Sequence, residues 1–186
     1  VIILGSDLEY NKGERDVSSI PTIHVGNRGA IPLVRTIYTE SPDEIISLIT
    51  PLSRCSDHYL VKKTPNVIRR YKYFGTEMGA ILLKISSEVV GYVIFFVGKN
   101  HLYMLKIAVD EKWRRRGFGK LLMKEFEKKA KEKGKIKIKW RSDIDDHVAN
   151  SFYISLGFKN RRKLNKKKYE YEVIINEVQG IEKFLK

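Results

Sequence analysis

The stretch that decides the fold runs from Leu102 to Gly134, LYMLKIAVDEKWRRRGFGKLLMKEFEKKAKEKG. It opens on an apolar run of strand character, LYMLKIAV (102–109). It closes on a segment, 118–134, in which Phe118, Leu121, Leu122, Phe126 and Ala130 fall at helical spacing, with lysine and glutamate opposite and Gly134 as terminator. Between the two, WRRRGFGK (113–120) packs four cations, two glycines and two aromatics into eight positions. A strand that enters a glycine turn and leaves it as a helix brings unpaired backbone N–H groups and the positive end of a helix dipole to one point. Gly117 and Gly119 allow a tight bend and a close approach to a ligand, while Arg114, Arg115, Arg116 and Lys120 add side-chain charge. Such a junction suits a diphosphate.

Working outward, three apolar runs, AILLKIS (80–86), VVGYVIFFV (89–97) and HLYMLKIAV (101–109), are separated by connections of hairpin length and read as an antiparallel meander. Upstream, LVRTIY (33–38) reads as a strand leading into a helix over SPDEIISLITPL (41–52), with Ser41 as N-cap, Pro42 as first helical residue and Asp43 and Glu44 in the first turn. The stretch 56–74 reads as two short helical pieces on either side of a turn at Pro65. Downstream, IKIKWR (136–141) alternates as a strand, VANSFYISL (148–156) forms an apolar helical stripe ending at Gly157, and GFKN and YEYEVII frame a lysine-rich tip, RRKLNKKK (161–168). The order is strands, helix, strand, helix, strands, an α/β (α+β) arrangement. Residues 33–186 form a single domain, preceded by an N-terminal extension, 1–32, whose prolines and glycines break up short apolar pieces.

A chain of 186 residues supports one domain with a sizeable core. Lysine and arginine outnumber aspartate and glutamate by 36 to 22, a net charge of +14 that fits an anionic partner such as nucleic acid, an acidic protein or a polyphosphate cofactor. The single cysteine, Cys55, precludes an internal disulfide, fits a reducing cytoplasm and reads as a buried or half-buried apolar residue. No Cys/His cluster has metal-ligand spacing. VIILGSDLEY lacks the positive start of a signal peptide, and the ten residues of VVGYVIFFVG are too few to span a membrane, which takes about 20. The expectation is a cytoplasmic protein with no membrane contact and no metal.

The glycine loop matches neither common nucleotide fingerprint: G-x-x-x-x-G-K-[ST] is absent, and the third glycine of G-x-G-x-x-G would fall on Leu122. It does match R-x-x-G-x-G, with Arg114, Gly117 and Gly119, and a second pattern lies downstream, where Ala149 to Phe158 read ANSFYISLGF. Two such motifs in this order, separated by one helix and one strand, resemble the GNAT family of N-acyltransferases over roughly residues 33–176. The resemblance implies a mixed, mostly antiparallel central sheet flanked by helices, with the fourth and fifth strands splayed apart. It implies acetyl-CoA as cosubstrate without a metal. Ile107, Ala108 and Val109 would pair with the pantetheine arm as an added strand, and Arg114, Arg115, Arg116, Gly117, Phe118, Gly119 and Lys120 would receive the pyrophosphate. Tyr153 stands where the family often has a general acid for the departing thiolate, although an amphipathic helix also packs tyrosines with a wet hydroxyl. Asn150 would reach the cofactor, or else cap or face water.

The implied activity is transfer of acetyl to a primary amine, on a protein N-terminus, a lysine or a small molecule, by direct attack in a monomer or homodimer. The alternative is a basic module binding nucleic acid or protein through VIRRYKYF (67–74) and the lysine-rich tip, with the acetyl-CoA site non-catalytic or regulatory. A base should take the amine's proton, yet HLYMLKIAV and IKIKW contain no carboxylate where several family members have one. His101, Tyr103, Asp143, Asp145 and Asp146 all remain candidates, against their ordinary readings as structural histidine and helix cap. Asp146 falls where the family frequently has asparagine, in a loop about two residues longer than usual. Finally, IKIKWR places Ile136, Ile138 and Trp140 on one face and Lys137, Lys139 and Arg141 on the other. Those cations flank an acceptor site for an anionic partner, or they form a solvated lysine face.

Overall fold

The computed structural model describes residues 34–55, 59–75, 77–159 and 161–175. The extension expected over 1–32 lies outside the described residues, as does the side chain of Cys55. The described chain runs β1 (Val34–Thr39), α1 (Pro42–Cys55), α2 (Tyr59–Tyr73), β2 (Met78–Ile85), β3 (Glu88–Val97), β4 (His101–Val109), a 3-10 turn (Glu111–Trp113), α3 (Phe118–Glu132), β5 (Lys137–Asp143), α4 (His147–Ser155), β6 (Arg161–Lys163) and β7 (Lys168–Ile174). The strands make one sheet in the order β1-β2-β3-β4-β5-β7-β6, antiparallel at every step except β4–β5, which is parallel. The α/β arrangement is the one expected from the order of elements, and the mixed, mostly antiparallel sheet is the one the family resemblance implies.

Helix α1 begins as its sequence dictates: Glu44 N–H donates to Ser41 Oγ at 3.4 Å, Pro42 holds the first position, and the acidic first turn faces the dipole. The stretch around Pro65 departs from expectation, because α2 is one helix from Tyr59 to Tyr73 with Pro65 inside it. Proline removes one backbone donor and crowds the carbonyl four residues back, but the packed face of the helix overrides that local cost. Thr64, Pro65 and Ile68 are buried, and Tyr71 packs on Phe96 of β3 at 4.3 Å between ring centroids. Lys72 Nζ bridges to Asp43 at 2.5 Å and ties the two helices together.

Strand alternation divides the interior into two cores. Met78, Ala80 and Leu82 of β2 meet Ile45, Ile49 and Ile68 of α1 and α2 on one face. Ile81, Leu83 and Ile85 meet Leu122, Met123 and Phe126 of α3 on the other. Of the stripe expected on α3, Phe118, Leu122, Phe126 and Ala130 are buried and Leu121 is half-buried; Met123 and Glu127, the latter expected on the polar face, are buried with them, and Gly134 adopts the left-handed conformation (φ 63°) just past the helix end. Ile136, expected to share the buried face of β5, is 57% exposed; it precedes the strand, in the turn that joins α3 to β5. Ile138 and Trp140 are buried as expected.

One irregularity sets up the rest. Ile94 of β3 pairs with Lys106, but the next residue, Phe95, pairs with Met104, so Leu105 is an extra residue in β4. This β-bulge changes the phase of β4: Leu102 and Met104 face α3 before it, Ile107 and Val109 after it. At the same point the β4–β5 ladder ends. His101 to Met104 pair with Lys137 to Trp140, whereas Arg141, Ser142 and Asp143 pair only with β7. A bulge bends and twists the strand that carries it, and here β4 and β5 part where the bulge begins.

Candidate active site

The parting leaves residues 106–109 of β4 paired to β3 on one edge and without a strand partner on the other, the edge that a parallel β5 would otherwise occupy. Ile107, Ala108 and Val109 therefore lie along an open strand edge, available to an extended ligand. Ile107 and Val109 turn their side chains towards the α3 core, and Ala108 packs towards the other core. One of their main-chain acceptors is already engaged, since Arg114 Nε donates to Val109 O at 3.2 Å.

The strand leads into the basic loop. Asp110 accepts from Lys112 N–H at 2.9 Å and caps the 3-10 turn. Arg114 folds back on its own loop, with a 3.1 Å ion pair to Glu111 in addition to the Val109 carbonyl, and the Arg116 guanidinium lies over the Trp113 ring at 5.1 Å. Arg115 takes φ 61° and Gly117 φ 86°, two left-handed residues with Arg116 between them. For a non-glycine residue that conformation is costly, and alternating backbone of this kind turns amide N–H groups into a concave, anion-binding arrangement. Ser41 and Asp146 cap α1 and α4 with their side chains, but no side chain caps α3. Its first backbone N–H groups are left without a side-chain acceptor.

The two glycines do different jobs. A Cβ on Gly117 would meet nothing within 4 Å, so only its backbone angle demands glycine. A Cβ on Gly119 would lie 2.9 Å from Phe152 Cε2 and 3.0 Å from Cζ, so its bareness lets α3 pack against α4. Phe118 likewise belongs to the core by its side chain, 4% exposed, and offers the site only its backbone.

Tyr153 is 4% exposed, on α4, with its ring 5.2 Å from Trp140 and 5.1 Å from Tyr171. Its hydroxyl makes no hydrogen bond to a described residue. Burial raises its pKa well above the ordinary phenol value, with Tyr171 and Asp146 reinforcing, so it stays a neutral donor. Asn150 is committed to the protein: Nδ2 donates to Asp143 O at 2.8 Å and Ile144 O at 3.2 Å, and Oδ1 accepts from Tyr171 Oη at 2.8 Å. It holds the β5–α4 loop against β7.

The five candidate bases separate by position. His101 stands six residues before Ile107, about 20 Å along an extended strand, where β4 and β5 are still paired. Burial lowers its pKa, aided by Lys139 and Lys137, which favours neutral imidazole, but far from the opening. Tyr103 stands on a paired rung just before the opening, and burial raises its pKa, which disfavours it as a base. Asp146 caps α4 by accepting from Ala149 N–H at 2.9 Å, and Asp143 pairs with Lys168 at 2.8 Å. Asp145 is exposed in the loop between them.

Sequence reasoning overlooked Lys106. It lies on β4 directly after the bulge, is half-buried, and senses the carboxylates of Asp146 and Asp143. The signal was present: a single lysine interrupts the apolar run YMLKIAV immediately before Ile107.

The cations of β5 are paired across the sheet. Lys137 and Lys139 both reach Glu172, the former at 3.3 Å, and Arg141 and Arg162 bracket Glu170 at 3.1 and 2.6 Å. The strip is a cross-strand charge ladder between KIKWR and YEYE. Among the described residues, no group of His, Cys, Asp or Glu could hold a metal ion, and no helix is long and apolar enough to cross a membrane.

Comparison with known proteins agrees with this geometry. The model of the acetyltransferase (GNAT) family matches residues 47–158, more than half of the chain. Among solved structures, a GNAT-family protein from Desulfovibrio desulfuricans superposes with a TM-score of 0.64 at 12% identity, covering 77% of this chain and 100% of that one. The ribosomal-protein-S18-alanine N-acetyltransferase of Escherichia coli gives 0.60 at 14% identity over 77% of this chain and 96% of its own. The PaiA N-acetyltransferase of Thermoplasma acidophilum, solved with coenzyme A, gives 0.54 at 18% identity over 75% and 98%. At such identities the likeness speaks for the fold.

Proposed function

This chain belongs to the GNAT family of acetyltransferases, and from that membership we propose that it transfers acetyl from acetyl-CoA to a primary amine by direct attack, in a reducing cytoplasm and without a metal. The observation that carries the reading is the juxtaposition of an open β4 edge with an uncapped helix start one short loop further on. An extended pantetheine arm fits the first as an added strand, and a diphosphate fits the second. The thioester supplies an acyl group already activated for transfer.

The residues then divide the work. Backbone groups of Ile107 and Ala108 hold and orient the arm, and those of Arg115 to Gly119 hold the pyrophosphate, with guanidinium and ammonium charge in support. Tyr153, neutral and without a hydrogen-bond partner among the described residues, donates to the departing sulfur. A phenol of pKa above 10 is a weaker acid than a thiol near 8.5, so its first contribution is a hydrogen bond to the developing thiolate. The acceptor amine loses its proton through water towards the carboxylates of Asp143 and Asp146, which lie within electrostatic reach of Lys106 on β4.

The test is release of free thiol from acetyl-CoA in the presence of peptides with free N-termini, polyamines and small amines. The expected result is a release rate that rises with one acceptor class and saturates. If calorimetry shows acetyl-CoA bound while no amine raises the rate above the acceptor-free value, the chain is a binding module and the enzymatic reading fails.

A further inference from the structure

Lys106 has no part in the reaction proposed above, yet its placement is unusual. It occupies the first position of β4 after the Leu105 bulge, in the segment without a β5 partner, next to Ile107. Its side chain alternates with those of Ile107 and Val109, which face the α3 core, and so shares the opposite face with Ala108. It is half-buried, and its amine makes no hydrogen bond or ion pair with a described residue. Burial pushes its pKa below that of an ordinary lysine; the carboxylates of Asp146 and Asp143 oppose the shift and Lys168 adds to it. A desolvated amine without a close counter-ion is costly to keep charged, and the neutral form is the nucleophile.

We infer that Lys106 is an acetyl acceptor within its own molecule: with acetyl-CoA lying along β4, its Nζ takes the acetyl group from the adjacent thioester. The inference rests on the reading of β4 as the strand that holds the cosubstrate. The ammonium first gives one proton to solvent, by way of water or the Asp143 and Asp146 carboxylates. Nζ then attacks the thioester carbonyl, an N–C bond forms and the C–S bond breaks. The second proton leaves nitrogen as the amide forms, and the thiolate takes up one proton to leave as coenzyme A. The product is a neutral amide lodged at the opening between β4 and β5, where it narrows the route of an incoming amine.

The test is incubation of the full chain with acetyl-CoA alone, followed by intact mass and by mapping of peptides cut at glutamate. One acetyl group should accumulate at Lys106 on the order of a hundredfold faster than at the exposed Lys62 and Lys128, the advantage expected of a held reactant over a bimolecular one. The rate should be independent of protein concentration and suppressed by excess coenzyme A, and Lys106→Arg should lose the fast single-acetyl species. Acetylation of Lys106 no faster than that of exposed lysines, or a rate that rises with protein concentration, would overturn the inference. Acetyl-CoA binding by calorimetry with Lys106 unmodified defeats the inference and leaves the strand reading standing; absence of binding defeats both.

Discussion

Replacing Gly119 with alanine separates two reasons for a glycine in R-x-x-G-x-G. If the bareness of Gly119 serves the ligand, Gly119→Ala should weaken acetyl-CoA binding and leave stability alone. The geometry gives the opposite weighting, because the new Cβ would sit 2.9 Å and 3.0 Å from two ring carbons of Phe152. Ordinary contact begins near 3.5 Å, so helix α3 must move or the ring must swing, and overpacking of this kind costs about 1–3 kcal/mol. For a chain of this length, each kcal/mol is worth about 2–4 °C in Tm. The expected result is a Tm lower by about 2–12 °C with an unchanged urea m-value. The cause is checked by pairing the change with Phe152→Leu, which removes the offending ring carbons. In that background Gly119→Ala should lose most of its cost, giving a coupling energy of about 1 kcal/mol or more. Additive effects in the double variant, or a loss of acetyl-CoA affinity with unchanged Tm, would refute the packing argument. Gly117→Ala is the internal comparison: open space surrounds it, φ is 86°, and a penalty of about 1–2 kcal/mol should appear whatever residue stands at 152.

Three further expectations follow from the same contacts. Tyr153→Phe keeps the ring that packs on Trp140 and removes only the hydroxyl, so turnover should fall about 100-fold with little change in acetyl-CoA affinity or Tm; unchanged turnover would leave Tyr153 a packing residue. Asn150→Ala removes three hydrogen bonds from a buried loop anchor and should cost about 2–4 kcal/mol in urea unfolding, while a cost under about 0.5 kcal/mol would show that the loop is held by other means. Arg162 and Arg141 hold the pKa of Glu170 below the ordinary carboxylate value. A carboxyl lowered in the folded state contributes stability above its unfolded pKa, about 4.3, and loses it as pH falls through the folded value. Glu170→Gln should therefore destabilise by about 1 kcal/mol at pH 7, with the gap to the parent closing below about pH 4; a gap independent of pH would mean that charge is not its origin.

The architecture was legible because its signals are local and periodic. The glycine loop between apolar strand and helical stripe, the hairpin-length connections of the meander, and the Ser41-Pro42 helix start all reappear where the residues put them. Pro65 misled because its cost is local, whereas the packing of Ile68 and Tyr71 against the sheet is not visible one residue at a time. The charge face of β5 had an equally local reading as free cations. Its partners are distant in sequence: Glu170 lies 29 positions beyond Arg141, and Glu172 lies 35 beyond Lys137. Only the β5–β7 register brings Glu170 opposite Arg141 and Glu172 opposite Lys139, within diagonal reach of Lys137. The bulge at Leu105 left no mark in composition, since an extra residue in an apolar run looks like any other.

That bulge and the charge of the loop bear on the same question, which is how the proposed anion site differs from any other basic stretch. Arg114 and Arg116 turn their guanidinium groups inward, onto Glu111, the Val109 carbonyl and Trp113. Their contacts shape the loop, while Arg115 and Lys120 are also exposed side chains of the same segment. A helix start without a side-chain cap, preceded by two left-handed residues, discriminates by geometry in a way that a surface of net charge +14 cannot, because surface charge is screened within about 10 Å at ordinary ionic strength. The extra residue in β4 does the complementary work upstream: it ends the ladder to β5, exposes the strand edge, and delivers that edge into the loop five residues later. The two devices are in series along one chain segment, so a ligand long enough to use both must be extended at one end and anionic at the other.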